Sequence, residues 1–285
     1  MKILVTGAAG QLGAATVELL SSDHDVVSTT RRELDLSDHS AVMSLTRSVR
    51  PDVVINCAAY NNVNGAEDAA KDALAGNTFA VQSLAEACAA VDATLVHYGT
   101  DFVFDGKAAR PYDEDAATNP QGVYAASKLM GEWFALEYPK AYVLRVESLF
   151  GGARAKSSID RIIDAVSEGR KARVFVDRVV SPSYVVDVAR ATRTLLERSA
   201  AAGLYHCVNS GETTWLGLAE EIVRLLAVPA RLVPVKVADV PLRPPRPQYC
   251  ALSNQKLGRA GVDMPSWQDA LARYLELRRH REGDG

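Results

Sequence analysis

The chain lacks most of the features that would commit it to a metal, a membrane or a nucleic acid. Its four cysteines, Cys57, Cys88, Cys207 and Cys250, are widely spaced and form neither a metal-ligand pattern nor a Cys-x-x-Cys pair. Buried thiols in a reducing compartment are the expectation. No apolar run approaches the ~20 residues that cross a bilayer. The opening MKILVTGAAG has no signal-peptide apolar region or cleavage site. A soluble, cytoplasmic protein that does not engage a membrane is therefore expected. Neither charge sign accumulates: 32 Lys and Arg face 35 Asp and Glu, for a net charge of −3, with no long block of one sign. That leaves no basis for a nucleic-acid-binding surface. Internal repeats are also absent. What remains is 285 residues that are 48% apolar, enough for one large domain or a domain with a smaller partner.

The first half alternates short β-branched runs with helix-length segments. Residues 2–6 (KILVT), 25–29 (DVVST), 53–56 (VVIN), 94–98 (TLVHY) and 142–146 (YVLRV) read as strands. Residues 11–22, 66–91, with a break near Gly76, and 123–137 read as helices. This alternation predicts an α/β fold, a doubly wound parallel sheet of Rossmann type covered on both faces. Beyond about residue 150 the rhythm loosens. Helices are expected at 155–170, capped by Ser157 or Ser158, at 183–200, at 214–228 and at 268–279, with strands at 172–177 and 203–209. The prolines of PLRPPRP (241–247) exclude regular structure there. The expected organisation is a dinucleotide-binding domain over 1–150, which segments from about 172–210 partly rejoin, and a smaller lobe over 151–285.

Gly7-Ala8-Ala9-Gly10-Gln11-Leu12-Gly13 follows the first strand and opens a helix. Gly7 suits the tight turn, Gly10 the approach of a pyrophosphate to backbone N–H groups, and Gly13 close packing of helix on sheet. The spacing is G-x-x-G-x-x-G rather than G-x-G-x-x-G, so strand–turn–helix context carries the reading. After the second strand comes Thr29-Thr30-Arg31-Arg32, where an NAD site usually places a carboxylate. Arg31 and Arg32 suit a 2′-phosphate, so NADPH is expected, with NADH as the alternative. Asp35 and Leu36 would lie near the adenine. Ala58 and Ala59 close the third strand and leave room for ribose and diphosphate.

Tyr124 and Lys128 stand four apart on the helix preceding the fifth strand, and Thr100 and Asp101 end the fourth. A doubly wound sheet brings these residues and a nicotinamide to one crevice. Tyr124 is the expected proton donor to a carbonyl. Lys128 would lower its pKa and hold the nicotinamide ribose. Thr100 would hydrogen-bond the carbonyl oxygen as charge develops. His206, in an apolar strand, reads as a core or pocket residue rather than a metal ligand.

The glycine turn, TDFVFDG (100–106), Tyr124-x-x-x-Lys128 and GLYHCVNSGETTW (203–215) together resemble the extended short-chain dehydrogenase/reductases, and within them the dTDP-4-dehydrorhamnose reductase group, over nearly the whole chain. The resemblance implies reduction of the 4-keto group of dTDP-6-deoxy-L-lyxo-4-hexulose to give dTDP-L-rhamnose. It implies Thr100, Tyr124 and Lys128 as catalytic residues and Asn77 as an asparagine supporting the cofactor site. The chain departs from the group on the substrate side. Phe102 replaces a common tyrosine, and Arg145-Val146-Glu147-Ser148 replaces a run like R-T-S-W. Asn64-Gly65-Ala66-Glu67 stands for D-K-A-E. Arg246 is kept, but Tyr249 and Cys250 stand where asparagine and serine are usual. Thr100, Asp101, Phe102, Tyr124, Glu147, Ser148, Arg246 and Tyr249 are accordingly the expected substrate contacts. Some members bind Mg²⁺ through interface glutamates. Here the matching positions are Ala15 and, nearby, Val186, so no metal site is expected.

The departures leave the sugar open, so another dTDP-linked 4-keto-6-deoxyhexose or another nucleotide sugar fits the sequence. An epimerase of the same fold would hold NAD⁺ through its cycle. Phe102 after Thr100-Asp101, in place of an acidic residue, disfavours a dehydratase. A non-catalytic NADP-binding subunit, similar to the regulatory subunit of methionine adenosyltransferase, is the remaining alternative. C-terminal helices offer a surface for a homodimer.

Overall fold

The computed structural model describes residues 1–152 and 156–283, and side chains as far as His280. Six strands form the central sheet: β1 (Lys2–Thr6), β2 (Asp25–Thr29), β3 (Val53–Asn56), β4 (Thr94–Thr100), β5 (Ala141–Val146) and β6 (Gly203–His206). Every pairing is parallel, and the spatial order is β6-β5-β4-β3-β1-β2. Alternate residues feed two separate cores, as the period of two requires. Ile3, Val5, Ile55, Val96 and Leu144 enter one, with Leu12 and Ala15 of helix Gln11–Leu20 and Val188 and Leu195 of helix Val185–Glu197. Leu4, Val54, Leu95 and Val143 enter the other, with Val42 of helix His39–Val49 and Val81 and Leu84 of helix Ala80–Val91. Burial on both faces explains why these strands read as near-continuous Val/Ile/Leu runs.

The expected break near Gly76 is a π-helical segment, Ala75–Phe79, between helices Ala70–Leu74 and Ala80–Val91. Helix His39–Val49 has no counterpart in the sequence reading, although Asp38 caps it by accepting from Ala41 N at 3.0 Å. Of the later segments, only Gly203–His206 joins the sheet. Lys171–Phe175 pairs instead with Arg231–Val235, in a separate two-stranded sheet. Helix Ser158–Ser167 starts at a capping box in which Ser157 and Asp160 exchange bonds. The expected start of this helix, Ala155, lies outside the described residues. Thr214 caps helix Trp215–Leu226 through Gly217 N at 3.0 Å. Among the described residues, no helix is long and apolar enough to cross a membrane.

Candidate active site

The sheet order changes direction between β1 and β3, and such a switch point opens a crevice at the strands' carboxyl ends. Gly7 leaves β1 at a φ of 68°, and a Cβ there would stand 2.5 Å from Ala58 N. Gly10 N donates to Gly7 O at 2.9 Å, which closes the turn. No side chain caps helix Gln11–Leu20, so its first-turn N–H groups are left for an anion. A Cβ on Gly13 would lie 2.3 Å from Gly7 O, so only glycine allows the helix to sit this close to the turn. These features fit the pyrophosphate of a dinucleotide.

One cavity of about 530 Å³ runs past the glycine turn and is lined by Gly7, Gly10, Arg31, Asp35, Leu36, Ala58 and Ala59. Asp35 is occupied by the Ser37 backbone N–H and hydroxyl, at 3.0 and 2.7 Å, which hold its carboxyl below the usual range. A second cavity of about 530 Å³ shares Gly10, Cys57, Ala58 and Ala59 with the first. Into it face Gln11, Leu12, Thr100, Asp101, Phe102, Tyr124, Lys128, Glu147, Ser148 and Arg246. The two form one continuous groove.

Helix Val123–Leu136 carries Tyr124 and Lys128. Its N-terminus is tied down from a distance: Glu67 Oε1 accepts from Val123 N at 2.8 Å. Both side chains are buried, Tyr124 at 8% exposure and Lys128 at 3%. Thr100 and Tyr124 line the same wall of the second cavity. Thr100 also donates to Asp101 Oδ1 at 3.1 Å and accepts from Phe102 N at 3.3 Å. The Phe102 ring meets Tyr124 edge-on, with centroids 5.9 Å apart, and the Arg246 guanidinium lies over the Phe102 ring at 5.7 Å.

The electrostatics correct one expectation. The Tyr124 phenol stands above rather than below its ordinary value, and the Lys128 ammonium donates to Tyr98 O at 2.6 Å. Burial, followed by the Asp101 carboxylate, raises the phenol above its ordinary value. Tyr124 thus stays protonated, as a donor must. Burial lowers Lys128 to about 8, partly opposed by the Glu132 carboxylate. Glu132 itself is tied to Arg145 at 2.8 Å.

Four expected residues line neither cavity. Gly13 serves the packing just described. Arg32 is exposed on the turn beyond β2. Asn77 is buried and fully used: it accepts from Tyr60 N at 2.8 Å and donates to Tyr60 O and Ser127 Oγ at 3.1 and 3.0 Å. It braces the loop after β3 against the Tyr124 helix. Tyr249 turns its hydroxyl to Glu212 and its ring to Tyr112.

Sequence reasoning missed several wall residues: Lys156, Arg161, Arg178 and Trp215. All come from the later lobe, in no spacing that marks a site. The one local hint is the excess of basic residues in 154–178, seven against four carboxylates. Arg178 is buried, donating to Pro247 O at 3.0 Å and to Cys250 Sγ at 3.5 Å. Trp215 Nε1 has no hydrogen-bond partner among the described residues.

Comparison with known proteins agrees with this geometry. The family model described as RmlD substrate binding domain matches residues 1–279. A dTDP-4-dehydrorhamnose reductase of Mycobacterium tuberculosis is 36% identical over 282 residues, covering 96% of this chain and 92% of that protein. The crystal structure of a dTDP-4-dehydrorhamnose reductase from Clostridium acetobutylicum superposes with a TM-score of 0.93 at 33% identity, covering 98% of this chain and all of that one (100%). The Bacillus anthracis dTDP-4-dehydrorhamnose reductase, in complex with NADP, gives 0.92 at 31% identity, covering 96% and 98%. With a glycine turn, a Thr–Tyr–Lys cluster and a continuous groove in place, the chain belongs to the dTDP-4-dehydrorhamnose reductase-like family of extended short-chain dehydrogenase/reductases.

Proposed function

We propose that this protein reduces the 4-keto group of a dTDP-linked 6-deoxyhexulose, with NADPH as the preferred reductant. The observation that carries this reading is that Thr100, Tyr124 and buried Lys128 line one wall of the second cavity, next to the dinucleotide groove. The NADP in the Bacillus anthracis relative supports the cofactor class, and Arg31 in the groove wall supports a 2′-phosphate. When bound, the reduced nicotinamide supplies a hydride to the carbonyl carbon. The protein supplies the rest. Tyr124 gives its proton to the carbonyl oxygen, Thr100 steadies the developing charge, and Lys128 keeps a cation beside the phenol as it loses that proton. In this reading residues 1–150 hold the cofactor, and the lobe over 151–285 holds the nucleotide sugar, Arg246 and Arg178 offering charge to its diphosphate. Incubation with NADPH and a panel of dTDP-, UDP- and GDP-linked 4-keto-6-deoxy sugars tests it. NADPH oxidation with the dTDP sugars is expected, and no oxidation with any of the panel overturns the reading.

A further inference from the structure

Glu147 follows β5 on the cavity wall, where the chain turns through Ser148 at a φ of 43°. It is 2% exposed. Its Oε2 accepts from Ser181 N at 2.6 Å, while its Oε1 is buried with no hydrogen-bond partner among the described residues. Around it stand Asp101 and Cys250, whose ligand atoms lie with its own within 4.8 Å of one another. Arg178, Glu212 and Tyr249 are further ionisable neighbours, and the Asp101 charge also acts on the Tyr124 phenol. A metal ion is a poor occupant, because the Arg178 guanidinium already stands against Cys250 as the cluster's cation.

An unpartnered carboxylate oxygen out of water is costly when charged, so this oxygen calls for a proton. Two buried carboxyls this close do not readily ionise together. Burial raises both, with Asp101 moved to about 6 and Glu147 well above its ordinary value. Thr100 has a single hydrogen to give and two lone pairs to receive. While Asp101 is ionised, that hydrogen points at Asp101 Oδ1, and Phe102 N takes one lone pair.

We propose that Asp101 and Glu147 share one proton and that this proton aims Thr100: when it resides on Asp101, the carboxyl donates to Thr100 Oγ1 and frees the threonine hydrogen for the substrate oxygen beside Tyr124. Asp101 and Glu147 are then positioning residues that act through Thr100. The inference rests on the ketoreductase reading for its consequence, though not for the existence of the pair. The active form is the protonated one, so kcat is full at low pH and is lost as pH rises through the titration of the pair. Glu147 keeps a proton available after the first ionisation and extends this limb upward.

Two measurements test the proposal. In infrared difference spectra at neutral pH, the wild type should show a protonated-carboxyl band that shifts in ²H₂O and is lost in Glu147→Gln. In kcat–pH profiles, Glu147→Gln should move the descending limb down by about one pH unit, so that at a pH of about 8 its kcat falls a further ~10-fold relative to its own low-pH plateau. Asp101→Asn, whose amide can donate to Thr100 at every pH, should remove the limb, which serves if Glu147→Gln does not fold. A missing carboxyl band, an unmoved limb in Glu147→Gln or a wild-type limb in Asp101→Asn overturns the proposal. If the band behaves as stated but no keto-sugar is turned over, the proton pair stands and the ketoreductase reading fails.

Discussion

The two halves of the groove are made of different material. The cofactor half is mostly backbone: a glycine turn, an uncapped helix end and two alanines, with Arg31 and Asp35 at the solvent edge. The substrate half is mostly side chains, many of them ionisable and buried, including Asp101, Tyr124, Lys128, Glu147 and Arg178. Backbone construction depends on close approach and fails when atoms are added. Side-chain construction depends on protons and hydrogen bonds and fails when a single polar atom is removed, even where the shape survives.

The largest effect should come from the substrate half. Tyr124→Phe removes the hydroxyl and keeps the ring against Phe102, so kcat should fall at least ~100-fold while the NADPH dissociation constant, read by fluorescence titration, is nearly unchanged. Equal loss of cofactor binding would erase the distinction between the halves. The cofactor half should break the other way. Gly13→Ala forces a methyl against the Gly7 carbonyl, a backbone group that cannot swing aside. It should cost about 2 kcal/mol of stability and weaken NADPH, as read by thermal denaturation with and without cofactor. Unchanged stability would mean the turn yields more easily than its geometry suggests. The smallest effect sharpens the comparison at the rim: Arg31→Ala should weaken NADPH about 10-fold and leave NADH within about twofold. An unchanged preference would remove the 2′-phosphate from the account.

How much of this could be read from the chain follows the same division. The strands of the sheet announce themselves, because burial on both faces demands apolar β-branched runs. The helix His39–Val49 does not, since of its residues only Val42 and Thr46 are fully buried and its apolar stripe is short. Pro234 hides the strand Arg231–Val235; a proline is tolerated there because that strand pairs on one edge only, with Lys171–Phe175. In the site, the glycine turn is legible because its spacing is local. Asn77 is pointed to by resemblance alone, because its buried amide ties Tyr60 to Ser127 across intervals of 17 and 50 residues that no local pattern encodes.

The sequence by itself determined the parallel sheet, the dinucleotide turn and the Tyr124–Lys128 pair, because each follows from the period of a strand, the size of a glycine or one turn of a helix. Only the tertiary structure decided that Lys128 turns to the Tyr98 carbonyl, that burial and Asp101 keep Tyr124 protonated, and that Glu147, Asp101, Cys250 and Arg178 meet in one buried cluster. The physical reason is that desolvation and the distances between charges depend on how separate segments pack, and neither is carried by any single stretch of the chain.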